Sequence, residues 1–459
     1  MSSTIFIFME NVRLDVLVLG SGTAGKTVAE KCAKAGRSVG LIENGQLGGT
    51  CSNEGCDPKK VLYGATEILQ RFRDFTNLGV QGDVSAHWGD LQNFKRSFTK
   101  DIPENTRKDL NVKGIHLFLG EPKFLQRNIV QISDYEISAD KIVIATGLKP
   151  RMLTIEGKSY LKNSRDFLKL KKLPKKIVFL GAGFIGLEFA HMAARGGSRV
   201  TIIDSGNSIL DNFDKDLTKL LRQDSENLGI KFIFSGKIKA LEKNKNFILH
   251  YEKQGVHKSI TTDIVFNTTG RVPSLEEMNL KAGGIDHNDN GILVDDYMRC
   301  KTNADVYACG DISNNALPLS PLSRIEADIV AANILNKDLK KILLPPIPSV
   351  VFTIPQIAMV GYSEEEAKNR CSHVVVKYGV GSDWYNNKRI NGASYAYKIL
   401  IDERTDEILG AHLLGPEASE IINIFSLSMH KKITVKELKN TIFTYPSWAN
   451  DIKSMLSEN

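Results

Sequence analysis

Two cysteines five positions apart, Cys51 and Cys56, stand in the stretch Gly48-Gly49-Thr50-Cys51-Ser52-Asn53-Glu54-Gly55-Cys56-Asp57-Pro58-Lys59-Lys60. At that spacing one helical turn or a tight loop brings the sulfurs within bonding reach. A thiol near a cation or a helix N-terminus has a lowered pKa and is a nucleophile at neutral pH. Two readings stand at this point: a redox-active pair, or two small residues buried in a glycine-rich turn. Asp57 either caps a helix starting near Pro58, where proline suits the first helical position, or accepts protons from its neighbours. A carboxylate beside a thiolate raises the thiol pKa, while Lys59 and Lys60 lower it.

The elements that must position this pair begin upstream. Residues 14–19 form an apolar strand, followed by Gly20-Ser21-Gly22-Thr23-Ala24-Gly25, a helical stretch to about Ala35, and a second strand at 38–42 that ends at Glu43. Glycines at such a turn let the backbone approach a pyrophosphate at the helix N-terminus, and the acid accepts from a ribose hydroxyl. The pattern recurs: a strand at 176–180, Gly181-Ala182-Gly183-Phe184-Ile185-Gly186, a helix to about Arg195, and a strand at 199–203 ending at Asp204. First glycine to acid is 43 − 20 = 23 positions in one copy and 204 − 181 = 23 in the other. Equal spacing predicts two dinucleotide-binding domains. Three more apolar strands end in small residues, at Thr146-Gly147, at Thr269-Gly270 and at Cys309-Gly310-Asp311, where a parallel sheet admits a ligand. The chain is polar and helical in pattern between Tyr63 and Lys113. From Pro345 onward it has no nucleotide turn and reads as α+β: a strand at 347–353, a capped helix start at 363–368, a hairpin of 395–401 with 408–414, and an amphipathic helix at 417–430.

The whole chain narrows the possibilities. At 459 residues, about three domains are expected. A composition 42% hydrophobic and 25% charged is that of an ordinary soluble protein. The net charge of +7 is spread out, apart from a lysine-rich patch at 169–176 that reads as a solvated linker, so no nucleic-acid partner is expected. Residues 5–9 are apolar but too short to span a membrane, and they lack the flanks of a signal peptide. Met9 offers a second start. Six cysteines in a chain this long are no disulfide framework. Cys32, Cys300, Cys309 and Cys371 read as packing residues. No second pair completes a zinc site, so no metal centre is expected. The expected location is cytoplasmic, without membrane attachment.

Two dinucleotide units, a Cys-x4-Cys loop after the first and an α+β tail together resemble the FAD-dependent pyridine nucleotide–disulfide oxidoreductases. That family includes dihydrolipoamide dehydrogenase, glutathione reductase and mercuric reductase. Residues 48–60 resemble its GGTC-x4-C-x-P-x-K stretch, 181–190 its second nucleotide turn, 305–311 its second FAD motif and 347–361 the start of its dimerisation domain. The resemblance implies an α/β fold with two Rossmann-like dinucleotide-binding domains, for FAD and NAD(P), and a C-terminal α+β dimerisation domain. The corresponding segments are 1–150 and 271–344 for FAD, 151–270 for NAD(P) and 345–459 for the dimer. It also implies that Gly20, Gly22, Gly25, Glu43, Gly49, Thr50, Thr146, Gly147, Gly310 and Asp311 hold FAD. Gly181, Gly183, Phe184, Gly186, Asp204 and Gly270 would hold the nicotinamide cofactor. Cys56 would be the thiol against the flavin and Cys51 the outer thiol, while Lys60 would stabilise negative charge on the reduced ring and Glu188 would keep that lysine oriented. Asp204 favours NADH, with NADPH as the alternative, because a carboxylate there accepts from a free 2′-hydroxyl and repels a phosphate.

The far end departs from the family. Its disulfide reductases carry a C-terminal histidine, paired with a carboxylate, that acts across a homodimer interface as general acid/base. Here Tyr445 stands at the histidine's place and Asn450 at the carboxylate's, and His430 is fifteen positions upstream. A positioned acid/base contributes about 10²–10⁴-fold. Tyrosine as a residue type, with a reference pKa near ~10, does not take a proton from a thiol at neutral pH as imidazole does. Mercuric reductase also has tyrosine there, but its distal cysteine pair is missing from the tail at 454–459. The expected function is a homodimeric oxidoreductase passing electrons from NAD(P)H through FAD to the Cys51–Cys56 disulfide. The acceptor is a small molecule or small protein: a disulfide, metal ion, quinone or oxidant. The alternative is an E3-type dihydrolipoamide dehydrogenase or electron-transfer component of a complex, or a metal-ion reductase like mercuric reductase.

Overall fold

The computed structural model describes residues 10–275, 277–314, 317–336 and 339–457. The apolar segment 5–9 and the last two residues lie outside them. Two compact units divide the chain. The first takes the described residues up to Lys60, Asn93–Arg151 and Arg271–Leu343, and the second takes Val61–Gln92, Met152–Gly270 and the remainder from Leu344.

The first unit is built on a seven-stranded sheet. Strand β1 (Glu10–Leu19) is buried from Leu14 onward apart from Asp15, as befits a parallel strand covered on both faces. It runs through the glycine turn into α1 (Thr23–Lys34) and on to β2 (Val39–Glu43). There follow α2 (Gly49–Glu54), α3 (Cys56–Phe75), which continues beyond Lys60, β3 (His116–Leu119), β4 (Lys123–Gln126), β5 (Ile129–Ile132) and β6 (Tyr135–Ile144). Sheet order is β3-β2-β1-β6-β5-β4, and strand Val306–Ala308 pairs in parallel with β6. β1 lies parallel to both β2 and β6, so Gly20, the 145–147 turn and Cys309-Gly310 come to one end of the sheet. A Cβ on Gly20 (φ +106°) would stand 2.5 Å from Ala145 O, and one on Gly25 would stand 2.0 Å from Gly20 O. Only a bare backbone closes this turn.

The second unit repeats the device. β7 (Lys176–Leu180), α4 (Phe184–Arg195) and β8 (Arg199–Ile203) fall where the sequence places them, and α5 (Lys215–Asn227), β9 (Lys231–Ile233) and β10 (Ile264–Asn267) follow. The order is β9-β8-β7-β10, all parallel. A three-stranded antiparallel sheet, Gly236–Lys243, Phe247–Lys253 and Val256–Thr262, is inserted before β10. The C-terminal part is a five-stranded antiparallel sheet of β11 (Ser349–Val351), β12 (Gln356–Gly361), β13 (Val374–Val380), β14 (Ala396–Asp402) and β15 (Glu407–Gly415), in the order β11-β12-β15-β14-β13. The strand expected at 347–353 is thus confined to three residues. Helix α6 (Glu364–Arg370) starts on a Ser363 capping box, and α7 (Ala418–Lys431) packs on β12 and β15. No helix among the described residues is long and apolar enough to cross a membrane.

One buried cation ties α5, α6 and β14 together. Lys398, whose side chain is 5% exposed, places Nζ 2.7 Å from Asp214, 2.6 Å from Asp216 and 3.0 Å from Glu364. Its bonds raise the lysine pKa against burial, and bonds from Lys368 and then Lys398 hold the Glu364 carboxyl below its usual range. Removing one partner of a buried ion pair costs about 3–5 kcal/mol. Lys398→Ala is therefore expected to lower the unfolding free energy by about that much at pH 7. A carboxyl with a depressed folded pKa stabilises above its unfolded pKa and loses that contribution as pH falls through the folded one. The gap between variant and parent thus narrows below about pH 4, which thermal unfolding across pH measures.

Candidate active site around Cys51 and Cys56

The cysteine loop is two helices broken at Gly55. Cys51 lies on the short α2 and Cys56 is the first residue of α3. Asp57 therefore falls inside the first turn and is not the cap expected for a helix starting near Pro58, because the backbone is already helical at Cys56. There its charge complements the helix N-terminus. The loop is fastened to the first glycine turn. A Cβ on Gly49 (φ +74°) would stand 2.5 Å from Gly22 Cα. Gly48 N donates to Ser21 Oγ at 3.0 Å, and Ser21 Oγ donates to Glu43 at 2.6 Å. Thr50 follows within α2, and Lys60 is exposed one turn beyond Cys56.

Both cysteines are free thiols. Ser320 Oγ donates to Cys51 Sγ at 3.0 Å and lies 3.9 Å from Cys56 Sγ. The two sulfurs also share a hydrogen bond, which is the largest influence on each. It brings Cys56 down to about 6, with Lys59 and Ser320 adding to it against burial and Asp57. It pushes Cys51 up, together with burial and the charges of Cys56 and Asp57, while Ser320 acts downward. The opposing effects read from the sequence resolve into a direction: the negative charge is favoured on Cys56 and disfavoured on Cys51.

The same unit carries a cradle suited to a dinucleotide. Gly22 caps α1 without any side chain bonding its first-turn N–H groups among the described residues, which leaves them for an anion. Glu43 accepts from Ser21 N at 2.8 Å and Gly45 N at 2.8 Å, with lone pairs remaining for a ribose hydroxyl. Gly147 (φ +64°) faces open space, and Thr146 Oγ1 donates to Ser274 O at 2.9 Å. Gly310 (φ +78°) donates its N–H to the wholly buried Glu326 at 2.6 Å, and burial raises that carboxyl to about 7. Asp311 pairs with Arg271 at 3.3 Å, and burial raises its pKa. These residues fit FAD. Sequence reasoning missed Ser320, Arg271 and Glu326. Arg271 follows Gly270 at a strand end, which was the one local signal for it.

In the second unit Gly181 (φ +100°), Gly183 and Gly186 form the matching turn. A Cβ on Gly183 meets nothing within 4 Å, and α4 again starts without a side-chain cap. Asp204 accepts from Ala182 N and Gly206 N, each at 2.6 Å. Gly270 (φ +117°) follows β10, and Phe184 is 46% exposed at the start of α4. Glu188, 1% exposed, accepts from Phe352 N at 2.9 Å. Tyr445, 69% exposed, has its ring 6.3 Å from that of Tyr385, inclined at 26°. Asn450 closes a short turn, and the neighbouring Asp451 is buried against Asn386 and Tyr395. Lys60 and Glu188 belong to different units.

The sequence pattern of the pyridine nucleotide-disulphide oxidoreductases matches residues 14–331, and that of their dimerisation domain matches 347–456. The chain is 30% identical over 467 residues to a mercuric reductase from Lysinibacillus sphaericus, covering 97% of this chain and 83% of the relative. It is 30% identical over 449 residues to a dihydrolipoyl dehydrogenase from Staphylococcus aureus, covering 95% and 94%. Its structure is similar to the Cu(II) complex of the HOCl-induced flavoprotein disulfide reductase RclA from Escherichia coli, with a TM-score of 0.87 and 25% identity over 97% of this chain and 99% of the other.

The difference between the two thiols is open to titration. In the reduced protein, iodoacetamide should modify Cys56 with a midpoint near pH 6, read by peptide mass, while Cys51 stays protected well above that. Cys51→Ala removes the largest influence on Cys56 and is expected to move its midpoint upward. An unmoved midpoint would mean that Lys59 or the helix terminus sets it.

Proposed function

The chain belongs to the pyridine nucleotide-disulphide oxidoreductase family, and on that premise we propose that it uses NADH and FAD to reduce the Cys51–Cys56 disulfide, whose dithiol then reduces a thiophilic metal ion. The observation that carries this reading is the placement of the cysteine pair: Cys51 and Cys56 flank the break at Gly55 on a loop packed against the first glycine turn, with Ser320 Oγ 3.0 Å from one sulfur and 3.9 Å from the other. FAD, when bound, supplies the two-electron step between nicotinamide and disulfide. Gly20, Gly22, Gly25, Glu43, Gly49, Thr50, Thr146, Gly147, Gly310 and Asp311 would hold it. Gly181, Gly183, Phe184, Gly186, Asp204 and Gly270 would hold the nicotinamide cofactor, Lys60 would stabilise negative charge near the reacting ring, and Glu188 would orient Lys60. The active form on this reading is a cytoplasmic homodimer, with segments 1–150 and 271–344 for FAD, 151–270 for NADH and 345–459 for the dimer.

The choice of acceptor rests on proton bookkeeping. Closing the disulfide from Cys51–SH and Cys56–S⁻ releases two electrons and one proton. Two Cu²⁺ ions take one electron each, or one Hg²⁺ takes both, and neither needs a proton. An organic disulfide leaves as thiolates that must be protonated, and Tyr445 with Asn450 replaces the family's pair for that task. Thiolates also suit soft cations. The relatives named mercuric reductase and the Cu(II)-bound flavoprotein disulfide reductase support the same class. A second reading, a dihydrolipoyl dehydrogenase, is favoured by the near-complete overlap with the staphylococcal relative.

An anaerobic NADH titration followed by an acceptor screen tests this. NADH should generate two alkylatable thiols and a long-wavelength absorption band, and Cu²⁺ or Hg²⁺ should reoxidise the protein at least about 10²-fold faster than lipoamide or glutathione disulfide. Fast lipoamide turnover would move the assignment to the second reading, and full activity of Cys51→Ser would end the dithiol reading. For the cofactor, kcat/KM should favour NADH, and Asp204→Ala should narrow its lead over NADPH. A higher kcat/KM for NADPH in the parent overturns that choice.

A further inference from the structure

Ser320 is the first residue of the helix Ser320–Leu335, and its hydroxyl reaches both sulfurs, at 3.0 Å from Cys51 and 3.9 Å from Cys56. All three residues lie in the first unit, so the contact does not depend on a partner or on the C-terminal segment. The hydroxyl does not cap its own helix, since the cap position is Leu319 and no side chain bonds there among the described residues. A hydroxyl has one hydrogen to donate and rotates to suit its neighbours.

We propose that Ser320 is a catalytic residue that donates a hydrogen bond to whichever of Cys51 and Cys56 carries the negative charge, and so supports the Cys51 thiolate that this chain's Tyr445 leaves without an imidazole. The inference rests on the dithiol reading and deepens it. Ser320 keeps its own proton throughout; the Cys51 proton leaves to solvent, and the serine hydrogen bond replaces part of the water lost to the thiolate. At Cys51 burial, Cys56 and Asp57 all oppose the charge, and Ser320 favours it. At Cys56 the facing Lys59 also favours the charge, so the serine matters most at Cys51.

A hydrogen bond to a charged group is worth about tenfold or more in an equilibrium. Four proteins compare it: the parent, Ser320→Ala, Ser320→Thr and Ser320→Val. The last two have the same shape and differ only in the hydroxyl, so they decide the matter even where the alanine variant folds poorly. After reduction, iodoacetamide modification of Cys51 and Cys56 is followed against pH by peptide mass. The alanine and valine variants should modify Cys51 about tenfold more slowly at pH 8, with the midpoint displaced upward, and threonine should restore both. Equal Cys51 profiles for threonine and valine overturn the inference. The dithiol reading is judged separately, by whether NADH generates both thiols in every variant.

Discussion

Gly49 lies so close to Gly22 that a single Cβ on it would stand 2.5 Å from the opposing Cα. It welds the redox loop to the nucleotide turn with no side chain between them. Everything chemical follows from that weld. α2 is seated at the open N-terminus of α1, Gly48 is bonded to Ser21, and Ser21 to Glu43, so the acid that ends β2 also fixes where the cysteine helix begins. A turn that had to accommodate even one methyl group would have to move the cysteines away from the site the turn creates.

The second unit shows which parts of that arrangement are generic. Glu43 and Asp204 make the same pair of bonds, to the turn N–H twenty-two residues earlier and to the N–H two residues later. That common chelation explains the equal glycine-to-acid spacing, because the carboxylate must end level with the turn. Among the described residues, no glycine loop packs on the turn of the second copy as Gly49 does on Gly22. A Cβ on Gly183 meets nothing where Gly22 meets Gly49. The first copy is closed over by the cysteine helix, and the second is open at the corresponding glycine.

This difference in exposure also decided what could be read from the chain. β7 and β8 are short apolar runs buried on both faces, and their limits are visible as composition. The strand Val256–Thr262 is exposed along almost its whole length, so no alternation marks it, and it forms only because Phe247–Lys253 pairs with it. The cysteine pair, its lysines and both glycine turns were legible because the chemistry is local. Ser320 was not, since it comes to Cys51 across 269 residues of sequence through the sheet and its crossover. Asp57 was placed one step wrong for a local reason: Gly55 breaks α2 sharply enough for α3 to start at the cysteine itself.

The starting point at Cys56 has a chemical consequence. As the first helical residue, its sulfur sits at the positive end of a 20-residue helix, where a thiolate is favoured, while Cys51 is the third residue of a helix only six residues long. The helix start adds to the asymmetry that the bond between the two sulfurs sets. What the C-terminal histidine supplies elsewhere in the family is a proton route for Cys51, and Tyr445, exposed beside Tyr385, presents a flat aromatic pair in its stead. Acceptors that need only electrons and a soft ligand lose nothing by the exchange. Acceptors that must be protonated on leaving lose the family's proton donor. On the proposed reading, the backbone keeps the half of the reaction that loads the dithiol, and the exchange at residue 445 would select among the reactions that unload it.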